Sequence, residues 1–317
     1  MKTSQQVVND VIQFKELGIS SRDIAAMLNI GKSTVNDIYN RYIEQRKKTD
    51  EKTEPAVKDG PKILLLDLET APSLVATFGR YNQNIGQDNV LQEGGWILTA
   101  AYKWLGSDEI FSLSKSEDIG KCSDFAVCHD LLNLISKADA VIAHNGKAFD
   151  MKVLETRLLI NKLKPLPKVK IIDTLLMARK NYKFNSNKLD SLGKILGLGG
   201  KSTHSGIKLW LEVLAGSEEA LEKMIEYNVR DVDLLEQVYL KLISTGNVGS
   251  SFNAGHYYKD NDFHCPTCGS RNVVKTGNEV KTAVSVYDEV RCLDCGAASR
   301  TRKNKLNKSK NLLVSVV

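Results

Sequence analysis

Short apolar runs alternate with segments of helical spacing through the middle of the chain. The run ILLL at 63–66 is continuously apolar, which is typical of a strand buried on both faces of a parallel or mixed sheet. ADAVIAHN at 138–145 predicts a second buried strand, and FDMKVLETRLL at 149–159 then takes up helical spacing. A later helix is indicated by Met224, Leu234, Leu235 and Val238. This alternation predicts an α/β core over residues 61–245.

The first 48 residues have a helical period of their own. We predict three short helices, the second capped by Ser21 and the third opened by Ser33 after a tight turn at Ile30 and Gly31. The pattern is similar to the small helix-turn-helix DNA-binding heads of resolvases and transposases. A three-helix packing module is the alternative. If the segment binds DNA, the residues placed to meet bases or phosphates are Lys32, Ser33, Thr34, Asn36, Asp37, Arg41 and Arg46.

Two C-x-x-C pairs, CPTC and CLDC, lie near the carboxyl end, and each is followed by glycine. Paired thiolates at this spacing suit one tetrahedral zinc ion. The segment between the pairs alternates polar and apolar residues, which predicts a long β-hairpin and hence a zinc ribbon over 263–300. Two redox disulfides are the alternative, and His264 is predicted to be a bystander. The zinc ligands are Cys265, Cys268, Cys292 and Cys295.

The remaining segments are poor in large apolar residues. We predict linkers at 49–60 and 246–262 and a basic tail at 301–317, which serves either to hold phosphates or to increase solubility. The segment LGLGGKST lacks a glycine required for a phosphate-binding P-loop. It predicts instead a loop in which Lys201 and His204 approach a nucleic-acid backbone.

Two other groups of residues are assigned structural roles. Cys122, Cys128 and His129 fit no standard metal-site spacing, so we predict buried or half-buried thiols on an amphipathic helix. Asp173, between an apolar strand and a helical segment, is predicted to be a helix cap rather than a metal ligand.

Composition excludes few classes of protein. With 42% hydrophobic and 26% charged residues, the chain has an ordinary globular composition. Its apolar runs are too short to cross a bilayer and its first residues lack the apolar core of a secretory signal, so we predict a cytoplasmic protein without a membrane partner. The net charge of +6 is concentrated near the carboxyl end, which favours a polyanionic partner.

Acidic residues stand where the predicted core elements begin or end. The side chains of Asp67 and Glu69 point to the same face of the first strand, at its end, and Asp150 lies near a helix N-terminus. Tyr227 and Asp231 are i and i+4 on the later helix and therefore share a face. Neighbouring carboxylates repel each other unless a cation lies between them, and magnesium or manganese is the natural partner of such oxygens. A pocket built from these residues suits two cations and a phosphodiester.

The motifs LDLET, HNGKAFD and YNVRD resemble the three motifs of DEDDy-type 3′ to 5′ exonucleases, relatives of polymerase proofreading domains and of ribonuclease D. The resemblance implies a ribonuclease-H-like mixed sheet flanked by helices. It also implies that two Mg²⁺ or Mn²⁺ ions are held by Asp67, Glu69, Asp150 and Asp231, and that Tyr227 orients or helps to deprotonate the attacking water. Asn145 and Phe149 would contact the terminal nucleotide.

Together these features predict a metal-dependent exonuclease that hydrolyses DNA to nucleoside monophosphates by a two-metal mechanism. DNA is preferred over RNA because of the N-terminal helices, and a protein partner at the ribbon is left open. The domain combination resembles an accessory nuclease of a phage or other mobile element, which would act in the host cytoplasm. The alternatives are a 3′ to 5′ exoribonuclease, a DNA-binding regulator that uses the core as a scaffold, and a transposase.

Overall fold

A computed structural model describes residues 4–16, 19–53, 60–114, 119–120, 122–199, 206–244 and 252–306. Lys201, His204 and residues 307–317 of the predicted tail lie outside these ranges, and the side chain of Arg46 is likewise not described.

A five-stranded mixed sheet forms the centre of the molecule. Its strands are β1 (Ile63–Thr70), β4 (Ile97–Trp104), β5 (Ile110–Ser114), β6 (Ala140–Ala143) and β7 (Lys170–Asp173). Their order in the sheet is β5-β4-β1-β6-β7, in which β1, β6 and β7 are parallel and β4 runs antiparallel to both of its neighbours. Because β1, β6 and β7 run in one direction, their carboxyl ends meet at one edge of the sheet.

Helices cover both faces of this sheet. They are α4 (Phe125–Ile135), α5 (Asp150–Ile160), α6 (Thr174–Asn181), α7 (Leu189–Ile195), α8 (Ile207–Leu214) and α9 (Glu218–Ser244). On β1, Leu64 and Leu66 belong to the apolar cluster of α4 and α5, whereas Ile63 and Leu65 belong to the cluster of α9. The alternation along β1 therefore places Asp67 and Glu69 on the α9 face.

A protruding hairpin, residues 72–95, connects β1 to β4, and we call it the flap. Two short antiparallel strands form its stem, β2 (Leu74–Val75) and β3 (Val90–Gln92). A one-turn 3₁₀ helix, Gln87–Asn89, precedes β3. The flap thus begins immediately after the strand that carries Asp67 and Glu69.

Three N-terminal helices form a separate small core, as the sequence predicted. They are α1 (Gln5–Glu16), α2 (Ser21–Leu28) and α3 (Lys32–Thr53), and their apolar contacts centre on fully buried Val11, Ile24 and Val35. Asn29 ends α2 in the left-handed conformation that asparagine tolerates.

Two details of this N-terminal segment differ from the prediction. The N-cap of α2 is Ser20 rather than Ser21, and its side chain accepts a hydrogen bond from the Asp23 N–H. Helix α3 continues through Thr53, five residues past the predicted end of the unit at residue 48. The segment predicted as a linker is rich in lysine and glutamate, which propagate a helix without needing an apolar face.

The N-terminal helices contact the core through polar side chains. Tyr42 Oη on α3 lies 2.5 Å from Nε2 of buried His129 on α4, with the two rings edge to face. Gln13 donates a 3.4 Å hydrogen bond to the carbonyl of Lys162. The His129 ring therefore takes part in the contact between α3 and α4.

A three-stranded antiparallel sheet lies beside the four C-terminal cysteines, of which Cys292 ends a strand and the other three lie in the turns next to it. Its strands are β8 (Val273–Lys281), β9 (Val286–Cys292) and β10 (Ala298–Arg300), so the predicted hairpin is present. Three of the cysteines share an apolar cluster with Tyr239 of α9 and with Phe252. Gly296 has φ +73°, and a Cβ there would lie 2.3 Å from the Ser244 carbonyl. This sheet therefore packs tightly against the end of α9.

The two remaining cysteines differ from each other. Cys128 is completely buried on α4, as predicted, and burial raises the pKa of its thiol. Cys122 is exposed and precedes α4 in a turn with φ +52°, so the prediction of a helical thiol was wrong at this position. In the described part of the chain, no helix combines the length and apolar character needed to cross a bilayer.

Candidate active site

Three carboxylates converge at the carboxyl end of β1. The side chains of Asp67 and Glu69 point to one face of β1, and the side chain of Asp231 reaches them from α9. Each contributes an oxygen to a group whose members lie within 4.8 Å of one another. Asp231 is buried and the other two are half-buried. Such a set of hard oxygen donors is chemically suited to a divalent cation.

Asp150 lies beside this group but is not one of its three members. Its Oδ1 accepts a 3.2 Å hydrogen bond from the backbone N–H of Leu68, between Asp67 and Glu69. The pKa of Asp150 is raised to about 7, mainly because the carboxyl group is buried. Hydrogen bonds from the backbone N–H groups of Asp150 and Leu68 lower this pKa, whereas the nearby charge of Asp173 raises it further. A divalent cation would reverse the shift by stabilising the carboxylate.

Asn228 is a residue that the sequence analysis missed. Its Nδ2 donates hydrogen bonds to Asp67, at 2.6 Å to Oδ2 and 3.3 Å to the backbone oxygen. Its Oδ1 accepts a hydrogen bond from Thr99 Oγ, and Asn228 and Thr99 are completely buried. The Thr99 hydroxyl therefore fixes the amide orientation that holds Asp67 towards Asp231. The available signal was position, because Asn228 precedes Asp231 by three residues on one helix face.

We predict that Asn228→Ala lowers activity by about 10- to 100-fold, as is usual for a partner that orients a metal ligand. The expected cause is weaker metal binding, so the divalent-ion concentration for half-maximal activity should rise. Thr99→Val, which leaves the Asp67 hydrogen bond in place, should have a smaller effect. An Asn228→Ala protein with unchanged metal titration would contradict this role.

Tyr227 lies on α9 one turn before Asp231 and is 7% exposed. Its ring packs edge to face against Trp210 of α8, with 6.3 Å between centroids. Trp210 also lines a cleft of about 340 Å³ together with residues that directly follow Glu69. The cleft residues are Thr70, Ala71, Pro72, Gly206, Ile207 and Trp210. The aromatic pair therefore connects the phenol of Tyr227 to the wall of a cleft beside the carboxylates.

Asp173 is a helix cap, as predicted, and it also organises the HNGKAFD segment. Its carboxylate accepts hydrogen bonds from the N–H groups of Leu175 and Leu176 at the start of α6. It also accepts from the N–H groups of Asn145 and Lys147, each at 3.1 Å. Four backbone donors leave Asp173 suited to hold this loop rather than a metal ion.

The two residues predicted to contact a nucleotide lie in this loop. Asn145 is half-buried and has φ +69°, a conformation that asparagine adopts more readily than most residues. Phe149 is 40% exposed immediately before Asp150. Their contact with a nucleotide stays a prediction.

The four C-terminal cysteines form a second group able to hold a metal. The Sγ atoms of Cys265 and Cys295 are 3.6 Å apart, and those of Cys268 and Cys292 are 3.7 Å apart. A disulfide requires about 2.05 Å, whereas tetrahedral thiolates at the usual zinc–sulfur length are about 3.8 Å apart. The geometry therefore favours a metal site over paired disulfides. The ring nitrogens of His264 are instead near Gly269 O and Asp260 Oδ1.

The predicted DNA-contacting residues lie at the start and along the surface of α3. Lys32, Ser33 and Arg41 are exposed, and Thr34 is half-buried. Asn36 Oδ1 already accepts a 2.7 Å hydrogen bond from Ser21 Oγ on α2. Asn36 is thus partly committed to packing α2 on α3, and the contacts of this set with DNA stay predictions.

A comparison with protein families finds a match within the α/β core. Residues 91–243, slightly less than half of the chain, match the family model RNase_H_2 of the RNase_H superfamily. The segment contains Asp150, Tyr227 and Asp231 but begins after β1. No curated protein matches the chain.

Among solved structures, the family B DNA polymerase of the hyperthermophilic archaeon Pyrobaculum calidifontis is similar, with 13% identity and a TM-score of 0.42. The alignment covers 60% of this chain and 27% of the polymerase chain. The family match and the order of the five strands together identify the core as a ribonuclease-H-like α/β fold, the fold of a nuclease superfamily, as the sequence predicted.

Proposed function

We propose that the protein is a metal-dependent 3′ to 5′ exonuclease that hydrolyses DNA and releases nucleoside monophosphates. The observation that supports this most is the convergence of Asp67, Glu69 and Asp231, with Asp150 and Tyr227 on the elements beside them. The polarity of digestion rests on the resemblance of the three motifs to the DEDDy group.

The donor set fits hard divalent cations, because it consists of carboxylate oxygens that would repel one another without them. Asp67, Glu69, Asp150 and Asp231 would hold two Mg²⁺ or Mn²⁺ ions. When bound, such a pair neutralises charge that develops on the attacking and leaving oxygens of an in-line displacement at phosphorus.

The protein's own groups position the reactants. The hydroxyl of Tyr227 would orient the attacking water or accept its proton, while Trp210 limits the freedom of the Tyr227 ring. Asn228 and Thr99 hold Asp67 in one rotamer, so that little reorganisation is needed when the substrate arrives. The cleft at Thr70–Pro72 would receive the end of a nucleic-acid strand.

A structural Zn²⁺ ion would be held by the four C-terminal cysteines. Four thiolates complete a tetrahedral shell and leave no position for a reactant, so the ion would serve folding rather than catalysis. The small sheet around it is largely exposed. A metal therefore supplies stability that the apolar core of this sheet alone would lack.

The N-terminal helices would direct the nuclease to duplex DNA through α3. We predict that Lys32→Ala/Arg41→Ala reduces the salt dependence of duplex binding, with the slope of log K against log[salt] falling by about 2 for two lost phosphate contacts. The measurement is a salt titration of duplex binding by an inactive Asp67→Asn protein. Lys241→Ala, an exposed lysine near the end of α9, is the matched control. An unchanged slope would remove the DNA-binding role of α3.

The proposed activity is tested with 5′-labelled single-stranded, duplex and mismatched DNA, and with RNA of the same sequence. Each substrate is incubated with magnesium, manganese or a chelator. We expect a descending ladder of shortened DNA products that requires the divalent ion. Digestion of RNA alone would identify the exoribonuclease alternative, and strand joining would identify a transposase. No cleavage of any substrate would refute the nuclease assignment.

A further inference from the structure

We infer that the tip of the flap is a stacking platform for single-stranded nucleic acid, placed to hold the strand whose end enters the cleft. The tip comprises residues 76–87. This inference rests on the proposed function, because it assigns the route by which a nucleic acid reaches the carboxylates.

The stem of the flap is fixed to the core. The Ala71 N–H donates to the Trp96 carbonyl at 2.9 Å, and the Gly95 N–H donates to the Ala71 carbonyl at 2.7 Å. Trp96 is buried against α8 and the start of α9. A Cβ on Gly94 would lie 2.4 Å from the backbone of Pro72 and Ser73, so the two sides of the stem touch. The tip is therefore carried by a closely packed stem.

The tip itself presents aromatic rings to solvent. Phe78 is fully exposed and Tyr81 is 83% exposed. Each ring offers on the order of 150–250 Å² that contact with a ligand would bury. Scattered exposed apolar residues are ordinary, but two highly exposed aromatic rings only three positions apart in one loop favour binding.

The composition of the tip favours nucleobases as the ligand over an apolar protein surface. Arg80 is the single charged residue in 76–87, and it lies between Phe78 and Tyr81 in sequence. Four amide side chains follow, namely Asn82, Gln83, Asn84 and Gln87. Aromatic rings stack on any base and a guanidinium pairs with phosphate, so this combination suits a single strand without base specificity.

The flap also begins at the cleft beside the carboxylates. Pro72, its first residue, lines the cleft together with Thr70 and Ala71, which directly follow Glu69. Phe78 follows Glu69 by nine positions in sequence, so the Phe78 backbone lies within about 30 Å of the Glu69 backbone even at the extreme reach of the chain. A strand several nucleotides long could contact both places at once.

The test compares the wild type with Phe78→Ala/Tyr81→Ala in the full chain. Binding of fluorescent DNA and RNA oligonucleotides of about 20 nucleotides is measured by anisotropy in chelator, where no hydrolysis occurs. Losing two stacked bases should weaken binding by about 30-fold or more, equally for DNA and RNA, because stacking uses the base faces. Leu159→Ala, which removes an exposed apolar side chain from α5, should bind like the wild type. Equal binding by the wild type and Phe78→Ala/Tyr81→Ala would overturn the inference.

A small substrate separates this inference from the proposed function. The p-nitrophenyl ester of thymidine 5′-monophosphate is too short to reach the tip, so both proteins should hydrolyse it with the same kcat/KM in magnesium or manganese. An equal loss on this ester would show that the substitutions disturb the active site, which would also overturn the platform. If the wild type binds oligonucleotides through the tip but hydrolyses neither the oligonucleotides nor the ester, the stacking platform is supported and the nuclease assignment is refuted.

Discussion

Asp67→Asn and Asp231→Asn are each expected to reduce hydrolysis by a factor on the order of a thousand or more, while the protein stays folded. Each removes one of three converging oxygen donors, and loss of a held cation forfeits several kcal/mol of charge stabilisation at the reacting phosphate. In chelator the same substitutions should raise the melting temperature slightly, because they relieve repulsion among neighbouring carboxylates. A loss of activity together with a rise in melting temperature distinguishes a metal ligand from an acidic residue whose role is only structural.

The measurement is single-turnover digestion of a labelled single strand beside thermal melting with and without the divalent ion. Asp233→Asn is the matched control, since Asp233 lies two residues from Asp231 on α9 and hydrogen-bonds with Gln237. It should retain most activity. Normal turnover by either Asp67→Asn or Asp231→Asn would contradict the proposed mechanism.

Cys265→Ser and Cys292→Ser are expected to release one zinc ion per chain and to unfold the β8–β10 sheet. Structural zinc contributes about 10–16 kcal/mol of apparent binding free energy in small zinc domains, which is more than a sheet with so little buried surface can replace. The damage should extend beyond the sheet, because Cys265 and Cys292 share an apolar cluster with Tyr239 and Phe252. We therefore expect a lower melting temperature for the whole protein.

Metal content by elemental analysis and thermal melting test this second expectation. Cys122→Ser is the matched control, because Cys122 is an exposed thiol outside the cluster. It should keep its zinc and its melting temperature. Full zinc content in Cys265→Ser would show that the four thiols do not form one metal site.

Local spacing was sufficient to predict much of the fold and of the site. Two-residue alternation on β1 predicted that Asp67 and Glu69 share a face, and the i, i+4 relation predicted the same for Tyr227 and Asp231. The paired C-x-x-C motifs predicted the cysteine cluster. For the carboxylates and the tyrosine, the shared face is a property of one element, in which backbone periodicity fixes side-chain direction. For the cysteines, the two motifs are joined by the predicted hairpin.

Features that depend on distant contacts could not be predicted in this way. Asn228 bonds to a residue 161 positions earlier, and its position three residues before Asp231 indicates which helix face it shares but not that distant partner. The packing of the β8–β10 sheet on α9 depends on the close approach of Gly296 to Ser244. The sequence analysis placed these two residues in different segments, separated by a linker. The length of α3 was missed because an absence of apolar residues was equated with an absence of helix.

The pairing of β1 with both of its neighbours has a consequence for how the gene can vary. Asp67 lies opposite Ala101 on β4, and the same strand pairs on its other side with β6. Deleting or inserting one codon within 63–67 would turn the acidic side chains towards the α4 and α5 side, whereas exchanging one aliphatic residue for another would leave their direction unchanged. Variation in β1 should therefore be confined to replacement, and length changes should collect in the flap.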